Sequence, residues 1–116
     1  MAAFTSGTPI TQTALIANGA SLSSVVELGA GKLVAIQMPA AWTAAALTFQ
    51  ASIDGTNYFN VYDNGTERNY TVDSSRMLVL QLSDWVGIKY LKIRSGTAGT
   101  PVNQGADRTL TLLVQP

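Results

Sequence analysis

Hydrophobic and polar residues alternate with a period of two along much of the chain, and the alternating stretches end at Gly, Asn, Asp or Pro. This period is typical of β-strands that bury one face. The clearest stretch, LTFQASI at 47–53, leads into Asp54-Gly55-Thr56-Asn57, which predicts a hairpin because Gly tolerates a positive φ and Asp caps the backbone. The apolar side of this stretch consists of Leu47, Phe49, Ala51 and Ile53.

Other segments show the same pattern and predict about eight strands in all. The segment 77–82 is apolar on both sides, so we expect a central strand that is covered on both faces. The predicted core combines the inward positions of several strands: Phe49, Ile53, Leu78, Leu80, Leu91, Ile93, Leu110 and Leu112. The other predicted strands are 32–38, 58–62, 69–72, 88–95 and 108–114, and the pattern is weaker at 10–17 and 24–28.

Short strands without a long helical segment between them predict an all-β fold, an antiparallel β-sandwich of jelly-roll type. An immunoglobulin-like sandwich is the alternative. We expect 10–116 to form a single domain and 1–9 to be a flexible N-terminal arm. The segment 40–46 is too short for a stable helix and is predicted to be a connection whose Trp42 closes one end of the core. The Gly- and Thr-rich segment 95–107 is predicted to be an unpaired loop.

The composition indicates which classes of binding partner to expect. Of the 116 residues, 47% are hydrophobic and 12% are charged, and the formal net charge is zero. Such a surface lacks the clustered Lys and Arg that attract nucleic acid or acidic membranes, so neither is expected as a partner. The start of the chain lacks the pattern of a signal peptide. A nearly neutral surface instead tolerates close packing against other protein surfaces.

Catalytic chemistry is not expected from this sequence. The chain has no His and no Cys, the residues that most often activate or supply a nucleophile, and we predict neither an enzyme nor a cofactor. The oxygens of Asp63, Asn64 and Glu67 could be considered for calcium, but their spacing does not match an EF-hand, and no metal site is predicted. The basic residues Lys89, Lys92 and Arg94 are too few for a nucleic-acid surface.

A second turn is predicted at Asp63-Asn64-Gly65-Thr66, and aromatic residues gather around this turn and the one at 54–57. Tyr58, Phe59, Tyr62 and Tyr70 could form cross-strand pairs inside a hairpin, or one of them could be exposed and fill a pocket of a partner. Both interpretations stay open at this point. Trp85 is predicted to anchor a loop in the core.

The stretches LTFQASIDGTNYFNVYD (47–63) and DWVGIKYLKIRSGTAGTPVNQGADRTLTLLV (84–114) carry a family resemblance. They resemble small virion proteins of tailed bacteriophages and prophages, which look like capsid decoration, or cement, proteins with a jelly-roll or related sandwich fold. The hairpin and the strand KYLKIR also resemble galactose-binding jelly rolls, which supports the fold without transferring a sugar site.

The resemblance implies a decoration protein that binds the assembled major capsid protein and stabilises the head. We expect a homo-oligomer, with a trimer favoured, made in the host cytoplasm and located on the capsid surface of the virion. A tail or fibre component and a carbohydrate-binding module are the alternatives. The residues predicted to contact the partner lie in the arm and in the loop 95–107: Phe4, Ile10, Thr97, Thr100, Pro101, Val102, Asn103 and Gln104.

The arm is expected to bind a partner without contributing to folding, because 1–9 has one aromatic residue and no strand pattern. Deleting 1–6 should leave the melting temperature nearly unchanged and weaken attachment to coat shells, and Phe4→Ala should reproduce part of that loss. The bound fraction after sedimentation with undecorated shells measures the effect. Equal binding by the intact and shortened chains would remove the arm from the contact.

Overall fold

The computed structural model describes residues 8–116. This part of the chain contains ten strands and one short 3-10 helix at Leu82–Asp84. The strands form two four-stranded antiparallel sheets and one two-stranded hairpin. They are β1 (Ile10–Ile16), β2 (Val26–Glu27), β3 (Lys32–Gln37), β4 (Leu47–Ser52), β5 (Phe59–Asn60), β6 (Tyr62–Asp63), β7 (Thr66–Glu67), β8 (Met77–Val79), β9 (Tyr90–Ser95) and β10 (Arg108–Gln115).

The strands pair as in one long hairpin, in which the first strand meets the last and each following strand meets one nearer the middle of the chain. β1 pairs with β10, β2 with β9, β3 with β8 and β4 with β5, and every pair is antiparallel. The hairpin is rolled up so that β10 also pairs with β3, and β9 with β4. Sheet A therefore has the order β1-β10-β3-β8, and sheet B has the order β2-β9-β4-β5. Two four-stranded sheets built in this way form a jelly roll, which confirms the predicted sandwich.

The core lies between the inner faces of the two sheets. In sheet A, β10 alternates buried Leu110, Leu112 and Val114 with more exposed Thr109, Thr111 and Leu113. In sheet B, Leu91 and Ile93 of β9 lie beside Phe49 of β4. Period-two alternation thus forms the core because each strand contributes every second residue to the space between the sheets.

Trp85 is the largest side chain in this core and is fully buried. Its ring meets Phe49 edge to face with 4.8 Å between the ring centroids, and Phe49 meets Tyr70 in the same way at 5.8 Å. Trp42 packs against the core, and its indole N–H donates to the carbonyl of Ala45 at 3.1 Å. The predicted roles of both tryptophans are confirmed.

Ile53 does not belong to the core, although the alternation of 47–53 placed it there. Strand β4 ends at Ser52, and Ile53 is 85% exposed. The Ser52 hydroxyl accepts hydrogen bonds from the backbone N–H groups of Asp54 and Gly55, so the chain turns before Ile53 can continue the strand. Gly55 has a φ of 78°, as the turn prediction required.

The prediction of a central strand at 77–82 is wrong. β8 covers only Met77–Val79 and is an edge strand of sheet A, with exposed Met77 and Val79. Leu78 is half-buried and Leu80 is buried, so one side of the segment does face the core. The chain then enters the 3-10 helix at Leu82–Asp84 and crosses to sheet B.

The direction of β1 defines two ends of the sandwich. The arm end is the end where β1 begins, and it includes Ile10 and the connections 53–58 and 80–89. The loop end is the end where β1 finishes, and it includes the connections 38–46 and 96–107. Seven residues of strand separate the two ends by about 20 Å.

Replacing Leu112 by Ala should lower the free energy of unfolding by about 2 to 5 kcal/mol, because Leu112 is fully buried on a central strand and its loss leaves a cavity. Leu15→Ala is the matched control, since Leu15 is exposed on the neighbouring strand β1, and it should cost less than about 1 kcal/mol. Urea unfolding of both variants checks the assignment of the inner face, which equal losses would contradict.

Candidate functional site

The loop 95–107 is an ordered hairpin, and the prediction that it is unpaired is wrong. Gly96 forms a bridge with Pro101, and the Val102 N–H donates to the Ser95 carbonyl at 2.9 Å. Gly96 has a φ of 88°, and a Cβ at this position would lie 2.6 Å from the Thr100 carbonyl oxygen. The turn therefore depends on glycine at position 96.

Gln104 is 1% exposed and holds this loop in place, so its side chain is not available to a partner. Its side-chain oxygen accepts the Thr43 N–H at 2.8 Å, and its side-chain nitrogen donates to the Thr43 carbonyl at 3.0 Å and to the Ser95 hydroxyl at 2.7 Å. Arg108 donates to the same oxygen. We therefore remove the Gln104 side chain from the predicted contact.

The other predicted contact residues of the loop lie at the surface of the loop end. Thr100, Pro101 and Asn103 are exposed, and Thr97 and Val102 are half-buried. Residues 96–106 contain no charged side chain. Residues 96–106 thus present an uncharged surface at the loop end.

Ile10, the other predicted contact that the structure describes, lies at the arm end. It is exposed and pairs with Val114 at the start of β1. Phe4 lies outside the described residues. Ile10 and the predicted loop contacts therefore lie at opposite ends of the sandwich.

The arm end carries further exposed apolar side chains that the sequence analysis did not assign to the contact. A notch of about 180 Å³ is lined by Ala51, Ser52, Ile53, Phe59 and Ile88. Phe59 is 70% exposed, and Val86, two residues before Ile88, is exposed as well. The clustering of aromatic residues around the two turns was the sequence feature that pointed to an exposed side chain such as Phe59. The difference between exposed Phe59 and partly buried Tyr70 depends on the turn geometry, which sequence alone does not provide.

An ion pair that is mostly buried lies on the outer face of sheet B. The Arg94 guanidinium contacts the Glu67 carboxylate at 3.1 Å, and both side chains are mostly buried. Arg94 also donates to Asn60 at 2.6 Å, and the Ala98 N–H donates to Glu67 at 3.2 Å. This ion pair ties the hairpin β6–β7 and the loop to sheet B, and it removes Arg94 from any basic surface.

The other residues considered for a basic surface or a metal site also have contacts or turn positions within the domain. The Lys92 ammonium lies 4.3 Å from the ring centroid of Tyr58, and Lys89 lies 5.5 Å from that of Tyr90. Asn64 has a φ of 52° and Gly65 of 81°, which is the two-residue turn expected of an Asn-Gly hairpin. Within residues 8–116 there is no group of three or more Asp and Glu residues that could hold a metal ion.

A second ionic cluster surrounds Arg68, which contacts Asp63 at 2.7 Å and Asp84 at 3.1 Å. The hydrogen bond from Arg68 to the Tyr70 hydroxyl, together with Asp84 and Asp63, raises the pKa of Arg68 above its ordinary value. These residues line a cavity of about 290 Å³ beside Val79 and Gln81. The cavity is polar, with two carboxylates around one guanidinium.

The Asp54 carboxylate stabilises the hairpin turn by accepting backbone hydrogen bonds. Its carboxylate accepts the N–H groups of Asn57 and Thr56, both at 2.8 Å, and these bonds hold its pKa well below the usual range of Asp. Because the pKa is lowered in the folded state, this stabilisation is present above the ordinary pKa of Asp and is lost as the pH falls below it. Asp54 therefore has a structural role in the turn.

No protein-family model matches the sequence, and no curated protein sequence shows significant similarity to it. In the described part of the chain, no helix has the length and apolar character needed to cross a membrane.

Glu67→Gln should lower the free energy of unfolding by about 2 to 4 kcal/mol, because it leaves the buried Arg94 charge without its counter-ion. Asp73→Asn is the control, since Asp73 and Arg76 are both exposed and 3.8 Å apart, and it should change stability by less than about 0.5 kcal/mol. Urea titration measures both values. A similar small loss in the two variants would show that the Arg94–Glu67 pair does not hold the hairpin.

Proposed function

We propose that this protein is a capsid decoration protein of a tailed bacteriophage, which binds the assembled major capsid protein and stabilises the head. The observation that carries the proposal is the exposed apolar surface at the arm end. Ile53, Phe59 and Ile88 line one notch, and Val86 and Ile10 are exposed at the same end. The sequence resemblance to phage virion proteins supplies the identity of the partner.

These exposed side chains have the properties of a protein-binding anchor. Aromatic and aliphatic side chains that fill a partner's pocket supply most of the binding energy in many protein interfaces. Phe59 and Ile53 are largely exposed, so they add little to the stability of the isolated domain. Their exposure is accounted for if coat protein covers them in the particle.

The shape of the sandwich supports a bridging role. The arm end carries an apolar notch, the residues 96–106 at the loop end have no charged side chain, and about 20 Å of paired strand separates the two ends. The loop end is held in one conformation by the buried hydrogen bonds of Gln104 and by the Arg94–Glu67 pair. A rigid body with a contact at each end can hold two neighbouring coat subunits together.

Several copies joined as a homo-oligomer would bind the shell multivalently and dissociate slowly. A homotrimer suits the three-fold positions of capsid lattices. In this proposal the protein is made in the host cytoplasm and is located on the capsid surface of the virion.

Phe59→Ser should lower the affinity for undecorated shells, assembled from the major capsid protein of the same phage, by about tenfold or more, because it removes the exposed apolar anchor. Val25→Ser is the matched control: Val25 is also exposed but lies outside the notch, and binding should stay within about twofold. Sedimentation of labelled protein with shells measures the bound fraction.

Both variants should melt at nearly the temperature of the unchanged protein. Failure of the unchanged protein to bind shells would overturn the proposed function, and imaging of labelled protein on particles would separate the head from the tail. Normal binding by Phe59→Ser would instead remove the arm-end notch from the contact.

A further inference from the structure

Strand β8 leaves backbone hydrogen-bonding groups unpaired at the edge of sheet A. The Met38 N–H donates to the Arg76 carbonyl at 2.8 Å, and the Leu80 N–H donates to the Val34 carbonyl at 2.9 Å. Since alternate residues of an antiparallel strand bond to the same neighbour, Met77 and Val79 direct their N–H and C=O groups away from β3. Within residues 8–116 these groups have no backbone partner.

The opposite edge of sheet A is partly closed. In β1, the Leu15 N–H and carbonyl bond to Ser24, and the Gln12 side chain donates to the Glu27 carbonyl at 2.8 Å. Proteins commonly protect sheet edges with such covers or with charged residues and prolines. β8 reads Met-Leu-Val, with neither a charge nor a proline, and Val79 is 76% exposed.

A trough follows the open side of β8. One cavity of about 210 Å³ separates Met77 and Leu78 from the segment 71–73, and Met38 and Arg76 also line it. The second cavity is the polar one of about 290 Å³, which lies between Val79 and the cluster of Arg68 and Asp84. Space for side chains therefore exists beside both halves of the unpaired edge.

We propose that an extended segment of the coat protein adds to sheet A as a strand beside β8. The unpaired N–H and C=O groups of Met77 and Val79 would supply the main-chain hydrogen bonds, and the two cavities would receive side chains of the added strand. This inference rests on the proposed function, because it states how the decoration protein would hold its partner. It adds a second contact to the apolar notch.

The two cavities specify the chemistry of the added segment. The first is bordered by the apolar side chains of Met38, Val72 and Leu78 and accepts an aliphatic or aromatic residue. The second contains two carboxylates, Asp63 and Asp84, and one guanidinium, Arg68, so it favours a Lys or Arg. Because both sheets are antiparallel, we assign the added strand the antiparallel direction, in which its basic residue precedes its apolar residue.

Val79→Pro tests the inference directly. Proline lacks the N–H that faces outward at position 79, and its ring obstructs an incoming strand, whereas bonding to β3 does not use this N–H. We expect about a tenfold weaker binding to undecorated shells. Thr13→Pro is the matched control, because the Thr13 N–H faces outward on the other edge of the same sheet, and its binding should stay within about twofold.

Hydrogen–deuterium exchange of the unchanged protein provides a second readout that does not depend on the folding of a variant. In the shell-bound state, a peptic fragment that covers 76–80 should exchange more slowly, and a fragment that covers 12–15, in the middle of β1 and away from Ile10, should not. Unchanged exchange at 76–80 on bound protein, or normal binding by a folded Val79→Pro, would overturn strand addition. If the unchanged protein does not bind shells, the proposed function itself fails, which is a separate outcome.

Discussion

The packing of sheet A against sheet B is the interaction on which the rest of this structure depends. The chain has no Cys and so no disulfide, and the side chains of the two inner faces, among them Phe49, Trp85 and Leu112, are fully buried and supply the hydrophobic stabilisation of the domain. Trp85 and Phe49 fill the centre of this layer with an edge-to-face contact at 4.8 Å. Nested antiparallel pairing makes the layer possible, since it brings β1 against β10 although almost the whole domain separates them in sequence.

Polar side chains then connect the loops to this apolar layer. Gln104 and the Arg94–Glu67 pair are buried, and each joins segments that are distant in the sequence. Buried polar groups are costly unless all their hydrogen bonds are made, so these residues select one arrangement of the loops. The rigidity of the loop end is therefore a consequence of the fold, and it supports the proposed bridging of coat subunits.

Large apolar side chains remain exposed at two places on the surface of the domain. Ile53 is exposed at the arm end because the turn at Asp54 ends β4 at Ser52, and Phe59 of β5 is exposed at the same end. Met77 and Val79 are exposed on β8, which has no outer neighbour in sheet A. Neither feature adds to the stability of the isolated domain. Both suit attachment to another protein, one through side chains and the other through the backbone, and together they support the proposal of a structural role in a particle.

The sequence by itself determined the all-β class, the positions of the longer strands and the turn at Asn64-Gly65, because alternation and turn chemistry are local properties of the chain. It did not determine that β8 is an edge strand or that Gln104 and Arg94 are buried. The apolar pattern of 77–82 does not distinguish a central strand from an exposed edge strand. Only the tertiary structure decided these points, because strand order and the burial of a polar side chain depend on which distant segments meet.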